Sequence, residues 1–359
     1  MEMEVQKAGD NSTQVQASVI NVYNGISEER ARAIYKEEFE KIEELTKEAK
    51  VTAIQRVCEL ENRIIPKLLQ IDKGLDFFSN PDFQFLLIEA QKAAARSERS
   101  VDYDLLTEML VHRVKNDTDR EKRLGIKKAV EIVDSISDDA LLGLTVVHSV
   151  SYFEPLTGDI YKGLDALDNL FGKIIHGELP QGGRWLDHLD ILGAIRIDTI
   201  SKLKPLCEYY AKRLDGYVCT GIAKNSDDYR KAIQMLSEVN ISENTLVDNV
   251  LNPDYVRIPI PTQKSIDSMK VVSELDSNIP LSKDEVNAFK NIYSLYDNNT
   301  NIIRKVNKTF AEEWDKRKSL RLLKKWWGEI PYSISITEVG QVLAHANAQR
   351  CDNTLPPLN

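Results

Sequence analysis

The chain has 359 residues, of which 42% are hydrophobic and 29% charged, and a formal net charge of −9. A chain of that size buries a substantial core without disulfide or metal staples, and its apolar content keeps it out of the disordered class. The acidic balance excludes a protein that binds nucleic acid over its whole surface.

Residues 8–23, AGDNSTQVQASVINVY, form the first recognisable segment. Gly9-Asp10-Asn11 reads as a turn, and Val15, Val19, Ile20 and Val22 then give β-branched enrichment. Gln14 and Gln16 alternate with apolar neighbours. A strand this short leaves its backbone groups unpaired unless another strand meets it. The expectation is an oligomerisation arm over residues 1–25, carried by Asn11, Gln14, Val15, Gln16, Val19, Ile20 and Val22.

A helical body is expected over residues 26–251. Ser27 before Glu28 and Glu29 is an N-cap with acidic first-turn residues. Apolar residues from Ile34 to Leu68 recur at threes and fours, which fits one long helix or two consecutive ones. Asn80-Pro81-Asp82 restarts a helix with a cap and a proline in the first turn. Further helices are expected near 101–115, 118–134, 137–151, 160–176, 185–196, 199–214, 226–238 and 242–250.

The stretch NPDYVRIPIPTQ is proline-rich and reads as a linker at residues 252–262. A C-terminal helical module is expected over 263–359, with helices near 263–275, 282–297 and 300–326, the strand-like run YSISI, a last helix from Thr337 and a tail, DNTLPPLN. The run from Ile334 to Ala344, a strand ending in a Thr cap before a helix with an early Gly, is similar to the end of winged-helix domains. The expected fold class is therefore mainly α: a multi-helix bundle or helical array with a short N-terminal β arm and a small winged-helix-like C-terminal module.

Motifs for chemistry are sparse. Cys58, Cys207, Cys219 and Cys351 show no CxxC spacing, so reduced thiols and a cytoplasmic location are expected. The N-terminus has no signal-peptide pattern, and no apolar run reaches ~18 residues, so no membrane partner is expected. His176, Arg184, Asp187 and His188 cluster around GELPQGG and are a weak candidate for an anion or metal, although the histidines lack the spacing that lets one helix present both. Only three residues separate Arg184 from His188, too few for the Arg and His spacing of HEPN-type helical ribonucleases. No phosphate-binding glycine loop and no nucleophile elbow occurs, so no catalytic residue and no cofactor is assigned.

Charge is segregated: residues 263–359 hold 14 Lys or Arg against 12 Asp or Glu. The excess lies between Arg304 and Lys325, read as one basic helix ending in Trp326 and Trp327. Arg304, Lys308, Arg317, Arg321, Lys324 and Lys325 are the candidate basic surface, for a protein partner or for nucleic acid.

Taken together, Gly9-Asp10-Asn11-Ser12 with Gln14 and Gln16, the helix opening Gly25 to Arg32, the Asn80 to Gln84 start, the Ala90 to Ser97 helix and the Thr337 to Gly340 start resemble an uncharacterised family of bacterial cytosolic helical proteins. Similar GDNSxQxQ arms begin some bacterial antiviral-defence proteins. The resemblance implies no enzymatic activity and no transferable site. The functional expectation is a non-enzymatic homo-oligomeric scaffold or sensor that binds itself and another protein, with a nucleic-acid-binding regulator acting through 304–327 as the alternative.

Overall fold

The computed structural model describes residues 26–39, 47–115, 119–271 and 279–358. The expected arm, residues 8–23, lies outside the described residues, as does the 40–46 stretch on which the continuity of the first long helix depends.

The chain is mainly α-helical, as its periodicity predicts. Helices α1 (Glu28–Phe39), α2 (Lys47–Leu69), α3 (Pro81–Arg96), α4 (Ser100–Lys115), α5 (Arg120–Ile132), α6 (Asp138–Tyr152), α7 (Ile160–Ile174) and α8 (Arg184–Ile191) follow one another. Strand β1 (Ile195–Asp198), α9 (Leu206–Arg213), β2 (Ile222–Ala223), α10 (Asp227–Glu238), β3 (Val247–Asp248) and β4 (Tyr255–Arg257) come next. The chain continues through β5 (Lys270–Val271), β6 (Ile279–Pro280), α11 (Lys283–Ser294), α12 (Thr300–Asp315), α13 (Lys318–Glu329), β7 (Ser333–Ile336) and α14 (Glu338–Cys351).

Helix starts follow capping chemistry. Ser27 Oγ accepts from Arg30 N at 3.2 Å, and Asn80 Oδ1 accepts from Asp82 N at 2.9 Å. Ser282 and Glu285 complete a reciprocal capping box at α11. Where strong formers are missing, expected helices shrink. The 242–250 segment gives one short turn and β3, because Asn249 turns its amide onto the Cys219 and Thr220 carbonyls instead of continuing a helix. The segment expected to be helical from 263 gives a six-residue 3-10 turn, Gln263–Ser268, and then β5.

Two cores result. The larger unites α1–α9 with α12–α14, and α14 runs through it: the seven consecutive residues Val342 to Ala348 are all buried. The smaller holds Cys219, Ile222, Val256, Ile258, Ile260, Phe289 and Ile292 under the three-stranded sheet β2-β4-β3. Residues 252–262, read from the sequence as a linker, supply β4 and its buried apolar residues to this second core. Its prolines stop helices but leave edges that β4 can pair.

Arg257 joins the cores. Its buried guanidinium donates to Gly216 O at 3.1 Å, Ile258 O at 3.0 Å and Gly158 O at 2.5 Å, and lies over the Tyr217 ring.

The winged-helix expectation for the C-terminus is corrected by two findings. Strand β7 pairs antiparallel with β1, Ile195 opposite Ile336 and Asp198 opposite Ser333, so the ribbon joins the C-terminal segment to the helical body. Helix α14 packs against α4, α5 and α6 and has no face left to enter a groove of DNA. Gly340 is needed at the crossing, since a Cβ there would lie 2.0 Å from Ala194 O. Thr337 fixes the same point, its hydroxyl donating to Gly193 O at 2.7 Å while accepting from Gly340 N at 3.3 Å.

Candidate functional site

The basic stretch from Arg304 to Lys325 is two helices, not one. Arg317 leaves helical backbone at φ −101° and ψ 128°, and Trp314 Nε1 donates across the break to Leu320 O at 2.7 Å. Trp326 and Trp327 are buried, with their indole N–H groups on Pro180 O and Lys204 O.

Three of the six candidate cations are ion-paired within the chain. Arg317 meets Asp165 at 2.7 Å, Lys324 meets Asp315 at 2.6 Å and Lys308 meets Glu312 at 3.9 Å. Arg304, Arg321 and Lys325 are exposed, divided between α12 and α13.

The histidine cluster does not converge either. His176 Nδ1 bonds Ile174 O at 2.8 Å, whereas His188 Nε2 accepts from Ser137 N at 3.2 Å at the start of α6. Arg184 and Asp187 are exposed on α8. Among the described residues no group of three His, Cys, Asp or Glu side chains is placed to hold a metal. Burial pushes the Cys207 thiol up to about 11 and the Cys219 thiol up to about 12, away from nucleophilic thiolate.

A groove of about 360 Å³ between α3, α4 and α5 is the feature that composition did not announce. Its wall carries Arg113, Arg120, Arg123 and Lys127, and Asp82, held by Arg113 Nη2 at 2.8 Å, is the only acid among the described residues that line it. Phe85 and Leu124 stand at the same groove with 70% and 59% exposure, the first two helical turns of their elements presenting them outward. Large exposed apolar side chains rimmed by arginine have the composition of protein-binding surfaces, where Arg and aromatic residues carry much of the binding energy. The sequence signal was Arg120, Arg123, Leu124 and Lys127 at helical spacing. Only packing of α3 beside α5 adds Phe85.

A second polar network holds the C-terminal segment, read from the sequence as a tail. His345 Nε2 bonds Pro356 O at 2.9 Å and His112 Nε2 bonds Leu358 O at 3.0 Å. A carbonyl only accepts, so His345 carries its proton on Nε2, and its Nδ1 accepts from His148 Nε2 at 3.2 Å. Burial, with the neighbouring His345, pushes His148 down to about 3, and burial pushes His345 down to about 4. Leu358 is buried beside them, and Lys173 pairs with Asp352 at 2.8 Å. The three histidines are isolated in sequence and meet only through the packing of α4, α6 and α14.

No curated protein and no solved structure matches the chain. A protein-family model whose description reads ":-like", naming no activity, matches residues 25–355. The match begins just after residues 8–23 and spans both cores and the ribbon that joins β1 to β7. The chain therefore belongs to the family that this model defines.

Proposed function

We propose that the protein is a non-enzymatic, homo-oligomeric scaffold or sensor, and that its helical body receives an acidic segment of a partner protein in the groove between α3, α4 and α5. The observation that carries this reading is the conjunction of exposed Phe85 and Leu124 with exposed Arg120 and Lys127. In a chain of net charge −9, such a wall favours an acidic partner segment bearing an apolar anchor. Self-assembly is assigned to residues 8–23, whose pattern of Gln14, Val15, Gln16 and Val19 suits strand pairing between copies.

The nucleic-acid alternative draws less support. Its cations are spread over two helices, and three of the six already face carboxylates.

A labelled Glu-rich peptide with a single Leu anchor, titrated against the full-length protein at low salt, tests the groove. Binding in the range of about 10–100 μM, weakened about tenfold or more in an R120E/K127E double variant and in Phe85→Ser, is expected. Equal affinity in the variants, or no loss on raising salt, contradicts the reading.

A further inference from the structure

A cleft of about 710 Å³ opens where α6, residues 201–204, α9, α13, β7 and α14 meet. That volume lies in the range of roughly 300–1,000 Å³ typical of small-molecule sites. It shares no residue with the groove between α3, α4 and α5.

Its lining has a sharply one-sided charge. Lys202 and Lys204 stand on the 201–204 segment, and no aspartate or glutamate among the described residues lines the cleft, although the chain as a whole is acidic. Neither lysine has an ion-pair partner among the described residues. A concave, acid-free site with two ammonium groups concentrates positive potential and selects an anion.

The lining next to the lysine segment is aromatic. Trp327 commits its indole N–H to Lys204 O at 2.9 Å, so what it offers a ligand is ring surface. Tyr209 lies beside it, ring centroids 6.3 Å apart. Gln341, near the start of α14, also lines the cleft, and its amide has no described partner. A primary amide sets a donor beside an acceptor, the arrangement that complements the edge of a heterocyclic base.

We infer that this cleft binds a small phosphorylated ligand carrying a planar heterocycle, of the nucleoside monophosphate class, with the phosphate at Lys202 and Lys204 and the ring against Trp327, Tyr209 and Gln341. The ligand gives the sensor reading something to sense. The inference stands independently of the groove.

The test uses full-length protein and calorimetric titration with AMP, GMP, CMP, UMP, adenosine and inorganic phosphate. At least one monophosphate binds with a Kd below about 1 mM, and more tightly than inorganic phosphate. If AMP is among those that bind, it binds more tightly than adenosine. In K202E/K204E, affinity for the monophosphates falls about tenfold or more, while thermal unfolding of the unliganded protein stays unchanged because both lysines are exposed. Gln341→Leu weakens monophosphate binding and leaves phosphate binding as it was. Adenosine binding as tightly as AMP, unchanged affinity in K202E/K204E, or no binding of any monophosphate overturns the inference. R120E/K127E serves as the cross-check: it weakens peptide binding at the groove and leaves nucleotide affinity intact, so the two readings fail separately.

Discussion

At Gly340 the fold turns on the absence of a single methyl group. A Cβ there would meet Ala194 O at 2.0 Å, and Thr337 anchors the same backbone by bonding Gly193 O and Ala194 O. Gly340→Ala should therefore cost about 3 kcal/mol, since backbone carbonyls do not yield as side chains do. Urea unfolding of the full chain measures it, and a loss under about 0.5 kcal/mol, the range of a neutral surface change, contradicts the account. Arg257 gives a second residue-scale prediction. Arg257→Met keeps the stem but removes the guanidinium donor from the carbonyls of Gly158 and Ile260, while Ile258 O keeps Ile260 N and Gly216 O keeps Cys219 Sγ, so the expected loss is about 2–3 kcal/mol. The Gly in TEVG was legible as an early helix glycine. Its real reason, the approach of Ala194, required the β1–β7 pairing that only the fold supplies.

At the scale of elements, what the sequence made legible was mostly local. Asn80-Pro81 and Ser27 open helices as their cap chemistry dictates, and the run from Ser333 to Ile336 is a strand as its alternation and β-branching suggest. The misreadings are long-range. Ile195 and Arg196 are expected to end a helix; with Ile197 and Asp198 they form a strand because Gly193 adopts φ 72° and β7 lies beside it. The groove was not legible because Phe85 and Lys127 sit on different helices whose packing decides whether they meet. The docked C-terminus was read as a tail because proline-rich, polar ends usually are. Removing residues 353–359 takes away buried Leu358 and the carbonyl partners of His112 and His345. A loss of about 2–4 kcal/mol in urea unfolding is expected; an unchanged midpoint means the segment contributes nothing to the core.

Across the whole molecule, the buried histidines make stability depend on pH with a definite sign. His148 and His345 are pushed down to about 3 and about 4, below their ordinary 6.5, so the unfolded chain binds more protons throughout that interval. Stability is therefore full above about pH 6.5 and falls as the solution is acidified, by about 2 kcal/mol per histidine between about pH 7 and pH 5. An H148Q/H345Q variant flattens this part of the profile; a profile as steep as that of the unaltered protein assigns the effect elsewhere. Assembly belongs to the same scale. Strand β7 already pairs with β1 of its own chain, so the strand candidate best placed to satisfy the arm internally has one edge occupied. Pairing of residues 8–23 between copies is what the scaffold reading requires. Native mass spectrometry of the full-length protein and of a chain lacking residues 1–24 tests this most directly: the account predicts an oligomer that falls to monomer on deletion, and equal oligomeric states for the two would contradict it.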